Sequence, residues 1–286
     1  MNHQITRLQS GLYFVATPIG SARDITLRAL DVLASADVLA AEDTRSLRRL
    51  MEIHGVPLGD RQLLSYHDHS GTKARAKLLA YLDEGKSVAY ASEAGTPLIA
   101  DPGYHLSKDA AEAGHLVTSA PGPSAIITAL TLAGLPTDAF FFAGFLPNAK
   151  AARRSGLEAV RDVPGTLVFY ESPHRIAAML SDAALVLGPD RSAVICRELT
   201  KKFEEVRRGT LAELAEEIAA KKLKGEIVVL VDRAPAREAS EEDLEAALVA
   251  AMETMSVRDA ADSVAKAFGA HKRSVYQSAL KLSGKR

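Results

Sequence analysis

One rhythm constrains this chain more than any single motif. From Gly11 onward, short apolar runs alternate with stretches of helical spacing: LYFVAT then DITLRALDVLASA, DVLAA then TRSLRRLMEIHG, QLLSY then TKARAKLLAYLDEG, SVAYA then YHLSKDAAEAG, HLVTSA then SAIITALTLAG. Strands alternating with helices of about 10–15 residues predict a mainly parallel sheet covered on both faces. Ligands of such sheets bind beyond the carboxyl ends of the strands. The rhythm then changes. AFFFAGFL, TLVFYES, SAVICREL, FEEVRRG and EIVVLVD read as strands, some too closely spaced for a helix between them, which predicts a mixed second sheet. DRAPAREASEED is a polar linker, and beyond it only helical patterns remain. The expectation is an α/β protein with an N-terminal α/β domain at 1–121, a second α/β domain at 122–233 and a small helical segment at 241–286. Within the last, Gly269 marks the turn of a helix-turn-helix-like pair.

A chain of 286 residues with 47% hydrophobic content can bury such cores. Its net charge of −1 gives no overall basic field, so charge matters only locally. Residues 240–262 carry seven acids and one base, whereas 266–286 carry six bases and no acid. That basic end is either a solvated helical cap or a nucleic-acid contact, with Lys272 and Arg273 as its candidate residues. The single cysteine, Cys196, excludes a disulfide framework and reads as core filler. No apolar run approaches the ~20 residues of a membrane span. The N-terminus MNHQITRLQSG is polar, without the apolar segment of a signal peptide. A cytoplasmic protein with no membrane partner is expected.

The chemistry-bearing residues collect at strand ends. Ser92–Gly103, SEAGTPLIADPG, places two Gly/Pro turn units and two carboxylates after SVAYA. Thr17–Asp24, TPIGSARD, makes a tight turn at Pro18 and Gly20 that fits neither a Rossmann fingerprint nor a Walker loop. In AAEDTRSLRR, Asp43 suits a helix N-cap, while Glu42 beside it and Arg45, Arg48 and Arg49 are left over. Three arginines on one helical turn or so either face water or grip phosphates. His67 and His69 alternate in YHDHS but lack a third metal-ligand motif; no metal is expected, and a loop rim is the better reading. YESPHRI offers Glu171, His174 and Arg175 where a strand meets a helix, with Pro173 in the first helical turn. RELTKKFEEVRRG and KGE add Glu198, Lys201, Lys202, Glu204, Glu205, Lys224, Gly225 and Glu226.

As a set, ATPIG (16–20), EDTR (42–45), EAGTPLIADPG (93–103), APGPSA (120–125), YESPHR (170–175), RELTKKFEE (197–205) and KGE (224–226) resemble the tetrapyrrole (corrin/porphyrin) methylase superfamily. They resemble most its branch of small-subunit ribosomal RNA 2′-O-ribose methyltransferases. The resemblance spans nearly the whole chain. It implies two α/β domains of the tetrapyrrole methylase type, S-adenosylmethionine bound in the cleft between them, and usually a homodimer. It implies 2′-O-methylation of a cytidine in small-subunit ribosomal RNA, with that RNA met as a partner within the assembled subunit. Donor contacts are then expected from Pro18, Glu93, Ala94, Gly95, Thr96, Pro97, Pro121, Gly122, Ser124, Ala125, Tyr170, Glu171, Ser172, Gly225 and Glu226. Arg45, Arg48, Arg49, Arg175, Lys272 and Arg273 are the expected RNA contacts. The ribose hydroxyl must lose a proton, and Glu42, Glu171, His174 and Lys201 are candidate acceptors. One departure stands out: Glu93 follows Ser92 where relatives most often carry aspartate. Two alternatives stay open, a small-molecule methyltransferase of the tetrapyrrole type and a non-catalytic RNA-binding assembly factor. The first is disfavoured by EDTR, YESPHR and the basic tail, the second by intact GTP and PGPSA turns.

Overall fold

The computed structural model describes residues 3–67, 71–100, 103–221, 223–234 and 241–284. The chain divides into two units, Met1–Arg233 and Ala234–Arg286.

The first unit holds two sheets. β1 (Gly11–Val15), β2 (Val38–Ala41), β3 (Gln62–Ser65), β4 (Ser87–Ala91) and β5 (Val117–Ala120) alternate with α1 (Leu27–Ser35), α2 (Thr44–Ile53), α3 (Gly71–Asp83) and α4 (Tyr104–Glu112). The strands pair in the order β3-β2-β4-β1-β5, every pair parallel. β1, β2 and β4 are buried along their whole length, as expected of strands covered on both faces. Val15, Leu30, Leu33, Leu47 and Met51 fill one side of the sheet; Leu12, Phe14, Leu78, Tyr90 and Leu106 fill the other. Thr26 caps α1 and Asp43 caps α2, each side chain accepting a backbone N–H of the first turn.

α5 (Ala125–Ala133) leads into β6 (Phe140–Phe145), α6 (Lys150–Val160), β7 (Thr166–Glu171), α7 (Ile176–Leu187), β8 (Ser192–Arg197), β9 (Glu205–Thr210), α8 (Leu211–Ala219) and β10 (Ile227–Val231). The second sheet runs β6-β7-β10-β8-β9, with β6 parallel to β7 and the other pairs antiparallel. It is the mixed sheet the spacing predicts. Among the described residues, only β8 and β9 of this sheet follow one another without a helix between them. Pro173 departs from the expectation: α7 opens at Ile176, and the Ser172 carbonyl accepts the N–H groups of Arg175 and Ile176 in a turn ahead of the helix. Proline suits that turn equally, because it fixes φ and needs no N–H partner.

The two sheets share packing. Ile19, from the loop after β1, is buried with Ile126 and Leu130 of α5 and with Val168, Val194, Cys196 and Val228 of the second sheet. Burial pushes the Cys196 thiol up to about 11, which suits packing and not nucleophilic chemistry.

The second unit contains α9 (Glu241–Ala251), α10 (Val257–Phe268) and α11 (Lys272–Ser283) around Leu248, Ala261, Val264, Val275 and Ala279. Gly269 closes α10 at φ +63°, a left-handed position that favours glycine. Among the described residues, no helix is long and apolar enough to cross a membrane.

Candidate active site

Three loops leave the carboxyl ends of β1, β4 and β5 side by side and are laced together. Thr17 and Gly95 exchange backbone hydrogen bonds at 2.9 and 3.0 Å. The Thr17 hydroxyl donates to the Ser92 carbonyl at 3.2 Å, and the Thr96 hydroxyl donates to the Pro123 carbonyl at 2.9 Å. Gly95 sits at φ +83°, and an added Cβ would lie 3.3 Å from Ile19 Cγ2. The backbone beyond it is also bent: Leu98 and Ala100 hold φ values of 71° and 55°, positions that cost free energy without glycine. Asp101, the second carboxylate of this stretch, lies outside the described residues.

The second sheet meets these loops with the end of β7, the turn after β8 and the start of β10. Between the two sets lies a cavity of about 650 Å³. Its lining includes Pro18, Gly20, Glu42, Ser46, Glu93, Ala94, Gly95, Thr96, Ser124, Ala125, Tyr170, Glu171, Ser172, Lys201, Gly225 and Glu226. Residues expected from seven separate stretches of sequence are thus brought to one place.

The turn after β8 is held tightly. Glu198 and Thr200 adopt positive φ values of 51° and 62°. Lys201 Nζ donates to Glu198 Oε1 and Glu226 Oε2, both at 2.9 Å, and the Glu226 amide donates to Glu198 Oε1 at 3.0 Å. Burial opposes the Lys201 charge, but the two carboxylates outweigh it and raise the lysine pKa. The Lys201 hydrogen bond lowers the Glu198 pKa, helped by the Glu226 amide. Gly225 leaves no room for a side chain because the Glu198 carboxyl fills that space. Gly20 is similarly crowded: an added Cβ would meet Lys201 Cγ and Thr200 Oγ1 at 2.6 Å. Gly20→Ala is therefore expected to destabilise the protein by about 1–3 kcal/mol in denaturant unfolding, the usual cost of overpacking. Unchanged stability would mean that this turn yields freely.

Carboxylates dominate the cavity: Glu42, Glu93, Glu171 and Glu226 against Lys201. Burial raises the Glu93 pKa, and Glu42, Asp43 and Glu226 raise it further. Glu171 is only 3% exposed. Its Oε1 accepts from the Ser172 amide at 2.8 Å, while Oε2 has no hydrogen-bond partner among the described residues. Burial also raises the Glu171 pKa, against the opposing pull of that amide and of Arg175. Tyr170 is pushed up to about 12, by burial first and then by Glu226. It packs edge-on against Phe142 and Phe145 at 4.9 and 5.6 Å between ring centres.

Several expected residues fall elsewhere. Pro97, Pro121 and Gly122 support the loops without lining the cavity; a Cβ on Gly122 would stand 3.0 Å from that of Ala16. His174 is exposed and away from the cavity. Arg175 turns inward, its Nε 3.3 Å from Glu171 Oε1 and its Nη2 donating to the Leu146 carbonyl, so it is a poor fit to an RNA contact. Arg45, Arg48 and Arg49 are exposed on α2, but Arg48 borders a different groove from the other two. Lys272 pairs with Asp262 at 2.8 Å on the second unit. His69 lies outside the described residues, and among those residues no group of three or more His, Cys, Asp or Glu side chains could hold a metal. Ile19, Ile99, Phe145, Leu199, Ile227 and Val228 also line the cavity. Phe145, Ile227 and Val228 read in the sequence as strand, and Ile19, Ile99 and Leu199 only as apolar members of the motif turns.

The comparisons agree with this architecture. The profile of the Tetrapyrrole (Corrin/Porphyrin) Methylases matches residues 11–215, and that of the RsmI C-terminal HTH domain matches residues 238–283. A protein of Mesorhizobium japonicum named ribosomal RNA small subunit methyltransferase I is 48% identical over 96% of this chain and 93% of its own. Its namesake from Escherichia coli O157:H7 is 43% identical over 96% of each chain. Among solved structures, diphthine synthase superposes with a TM-score of 0.61 at 16% identity, covering 77% of this chain and 89% of that one. Uroporphyrin-III C-methyltransferase from Thermus thermophilus, complexed with S-adenosyl homocysteine, gives 0.54 at 19% identity over 77% and 96%. At those identities the structures speak for the fold alone, whereas the methylase profile spans residues 11–215 and the two relatives cover 96% of the chain. The chain belongs to the tetrapyrrole (corrin/porphyrin) methylases, in the group whose curated members are named ribosomal RNA small subunit methyltransferase I.

Proposed function

We propose that this protein is an S-adenosylmethionine-dependent methyltransferase of small-subunit ribosomal RNA, acting on the 2′-hydroxyl of a cytidine. The carboxylate-rich cavity is the observation that carries this reading. A donor with a sulfonium and an ammonium has net positive charge, and four glutamates around one paired lysine suit such a ligand. The unpartnered Glu171 Oε2 and the bent Gly95 backbone add a buried acceptor and a place for close approach. Gly95–Thr96, Ser124–Ala125, Tyr170, Ser172 and Glu226 would hold the donor, which supplies an electrophilic methyl group when bound. Alignment of the hydroxyl with that methyl provides most of the rate.

The hydroxyl proton needs an acceptor, and geometry orders the candidates. Lys201 is held protonated by Glu198 and Glu226, and His174 is off the cavity. Glu171 is enclosed, its side chain fully covered, which suits donor binding better than proton exchange with a bulky substrate. Glu42 and Glu93 line the cavity, and Glu93 also borders the groove beside it. Glu93 is the proposed acceptor, with burial first and then Glu42, Asp43 and Glu226 keeping its basicity high.

RNA affinity would come from exposed cations on α2 and from the second unit, within the assembled small subunit. Exchanging Lys272 and Arg273 for glutamine should weaken RNA binding and flatten its salt dependence by about 0.7–0.9 per lost contact, leaving donor affinity unchanged. An unchanged salt slope would make the basic end a helical cap. A homodimer is the proposed assembly; Phe140, Phe141 and Phe145 on the edge strand β6 are exposed apolar surface that a second copy would cover. The reading as a whole is tested by incubating the protein with radiolabelled S-adenosylmethionine and small-subunit particles. Label is expected in RNA; donor binding with unlabelled RNA, and label instead in a tetrapyrrole supplied in a parallel incubation, would favour the small-molecule reading, and no donor binding the assembly factor.

A further inference from the structure

A second groove, of about 450 Å³, adjoins the cavity and shares Pro18, Gly20, Ser46 and Glu93 with it. Its size falls within the range of small-ligand sites, about 300–1,000 Å³. One wall is α2, where the buried Leu47 joins Ser46 and Leu50 in lining the groove. Arg45, Arg49 and Ile53 follow each other at four-residue steps there, so they form one stripe along the helix. The arginine side chains are 94% and 74% exposed, and Ile53 is 51% exposed, with Leu50 beside it. The other wall is the loop after β1, and His54 Nε2 ties the two walls together by donating to the Ala22 carbonyl at 2.8 Å. The acids near the arginines are Asp43, 3.6 Å from Arg45, and Glu52, 3.5 Å from Arg49. Such exposed pairs are weak and exchange readily for a phosphate.

We propose that this groove is the subsite for the nucleotide next to the one methylated, its base against Leu50 and Ile53 and its phosphate between Arg45 and Arg49. The inference rests on the RNA methyltransferase reading and deepens it. The groove has an apolar floor and a cationic rim, and it opens on the cavity at Glu93, the proposed proton acceptor. A ribose placed at Glu93 would direct the adjoining backbone along α2, where the cations stand. Arg48 borders a separate groove and is left out of this subsite.

Full-length Ile53→Asp, Ile53→Ala, Arg49→Gln and Arg48→Gln proteins should be compared in methyl transfer to small ribosomal subunits lacking the modification. Donor affinity is measured in parallel by calorimetry. Ile53→Asp is expected to raise the KM for subunits about tenfold or more, the worth of one buried aliphatic contact, with donor affinity unchanged. Ile53→Ala should shift it in the same direction by less. Arg49→Gln should reduce the salt slope of binding by about 0.7–0.9, and Arg48→Gln should have the smaller effect on KM. Folded Ile53 variants with a KM within twofold of the parent would overturn the subsite, as would Arg48→Gln matching Arg49→Gln in both readouts. If the parent protein methylates no RNA, the functional reading fails and the subsite falls with it. If the parent is active and the Ile53 variants match it, only the subsite falls.

Discussion

Glu93→Gln protein is expected to transfer methyl groups roughly 10²–10⁴-fold more slowly in a single turnover, the usual contribution of a general base. Amide and carboxyl are nearly isosteric, so the cavity shape is retained while the proton acceptor is lost. The pH profile carries more weight than the magnitude. A protonated Glu93 cannot accept a proton, so the parent rate should fall as pH drops through the Glu93 pKa. In the free protein that pKa is raised, by burial first and then by Glu42, Asp43 and Glu226. The positive charge of a bound donor would pull it down, so the limb is identified by its loss in the variant and not by its position. Glu93→Gln should lose the limb altogether, whereas a residue that only positions the ribose would lower the curve and keep its shape. Stability should move the opposite way. A carboxyl whose pKa is raised by folding stabilises most while protonated, and that contribution is lost as pH rises through the folded pKa. The Glu93→Gln protein should therefore gain thermal stability relative to the parent as pH rises from the acid side to neutrality. A slow variant that keeps its acidic limb would remove Glu93 from the proton's path and return Glu42 to that role.

The second large effect is expected at Gly95. Valine there must hold φ near +83°, which a β-branched residue adopts only at a cost, and its Cβ would sit 3.3 Å from Ile19 Cγ2. Left-handed backbone without glycine costs about 1–3 kcal/mol. Relief of that strain breaks the paired Thr17–Gly95 hydrogen bonds and moves two walls of the cavity at once. Donor affinity should fall by about 5- to 150-fold, the same free energy expressed as a binding ratio. Calorimetry on folded protein measures this directly. A Gly95→Val protein that unfolds like the parent and binds the donor equally well would show that the turn does not shape the donor site.

The parallel half of the fold was open to sequence reasoning because its strands and helices alternate with clean periodicity and Gly/Pro punctuation. That alternation also located the loops at the carboxyl strand ends, and so most of the cavity. The second sheet was legible as mixed, since β8 and β9 leave no room for a helix. Side-chain direction was not legible. Within YESPHR, Glu171 goes under the cavity, His174 goes to solvent and Arg175 turns back on Glu171. The turn geometry that sorts them is set by tertiary contacts, not by spacing. Glycine was an ambiguous signal for a similar reason. Gly20 and Gly225 mark close approaches, as glycine often does, but what approaches is the protein's own Lys201–Thr200 turn and Glu198. The sequence marks Glu93 as a donor contact; only the structure shows it at the junction of cavity and groove among other acids.

Whether this chain methylates a ribose of small-subunit RNA is decided by mass mapping. Small-subunit RNA from cells lacking the gene would be treated, as assembled particles, with the purified protein and S-adenosylmethionine, then digested and compared with an untreated sample. One nucleotide, a cytidine, is expected to gain the mass of a methyl group, with the bond on its 3′ side becoming resistant to alkaline hydrolysis because the 2′-oxygen is blocked. A methyl group on a base, or RNA unchanged under conditions where the protein binds the donor, would contradict that expectation.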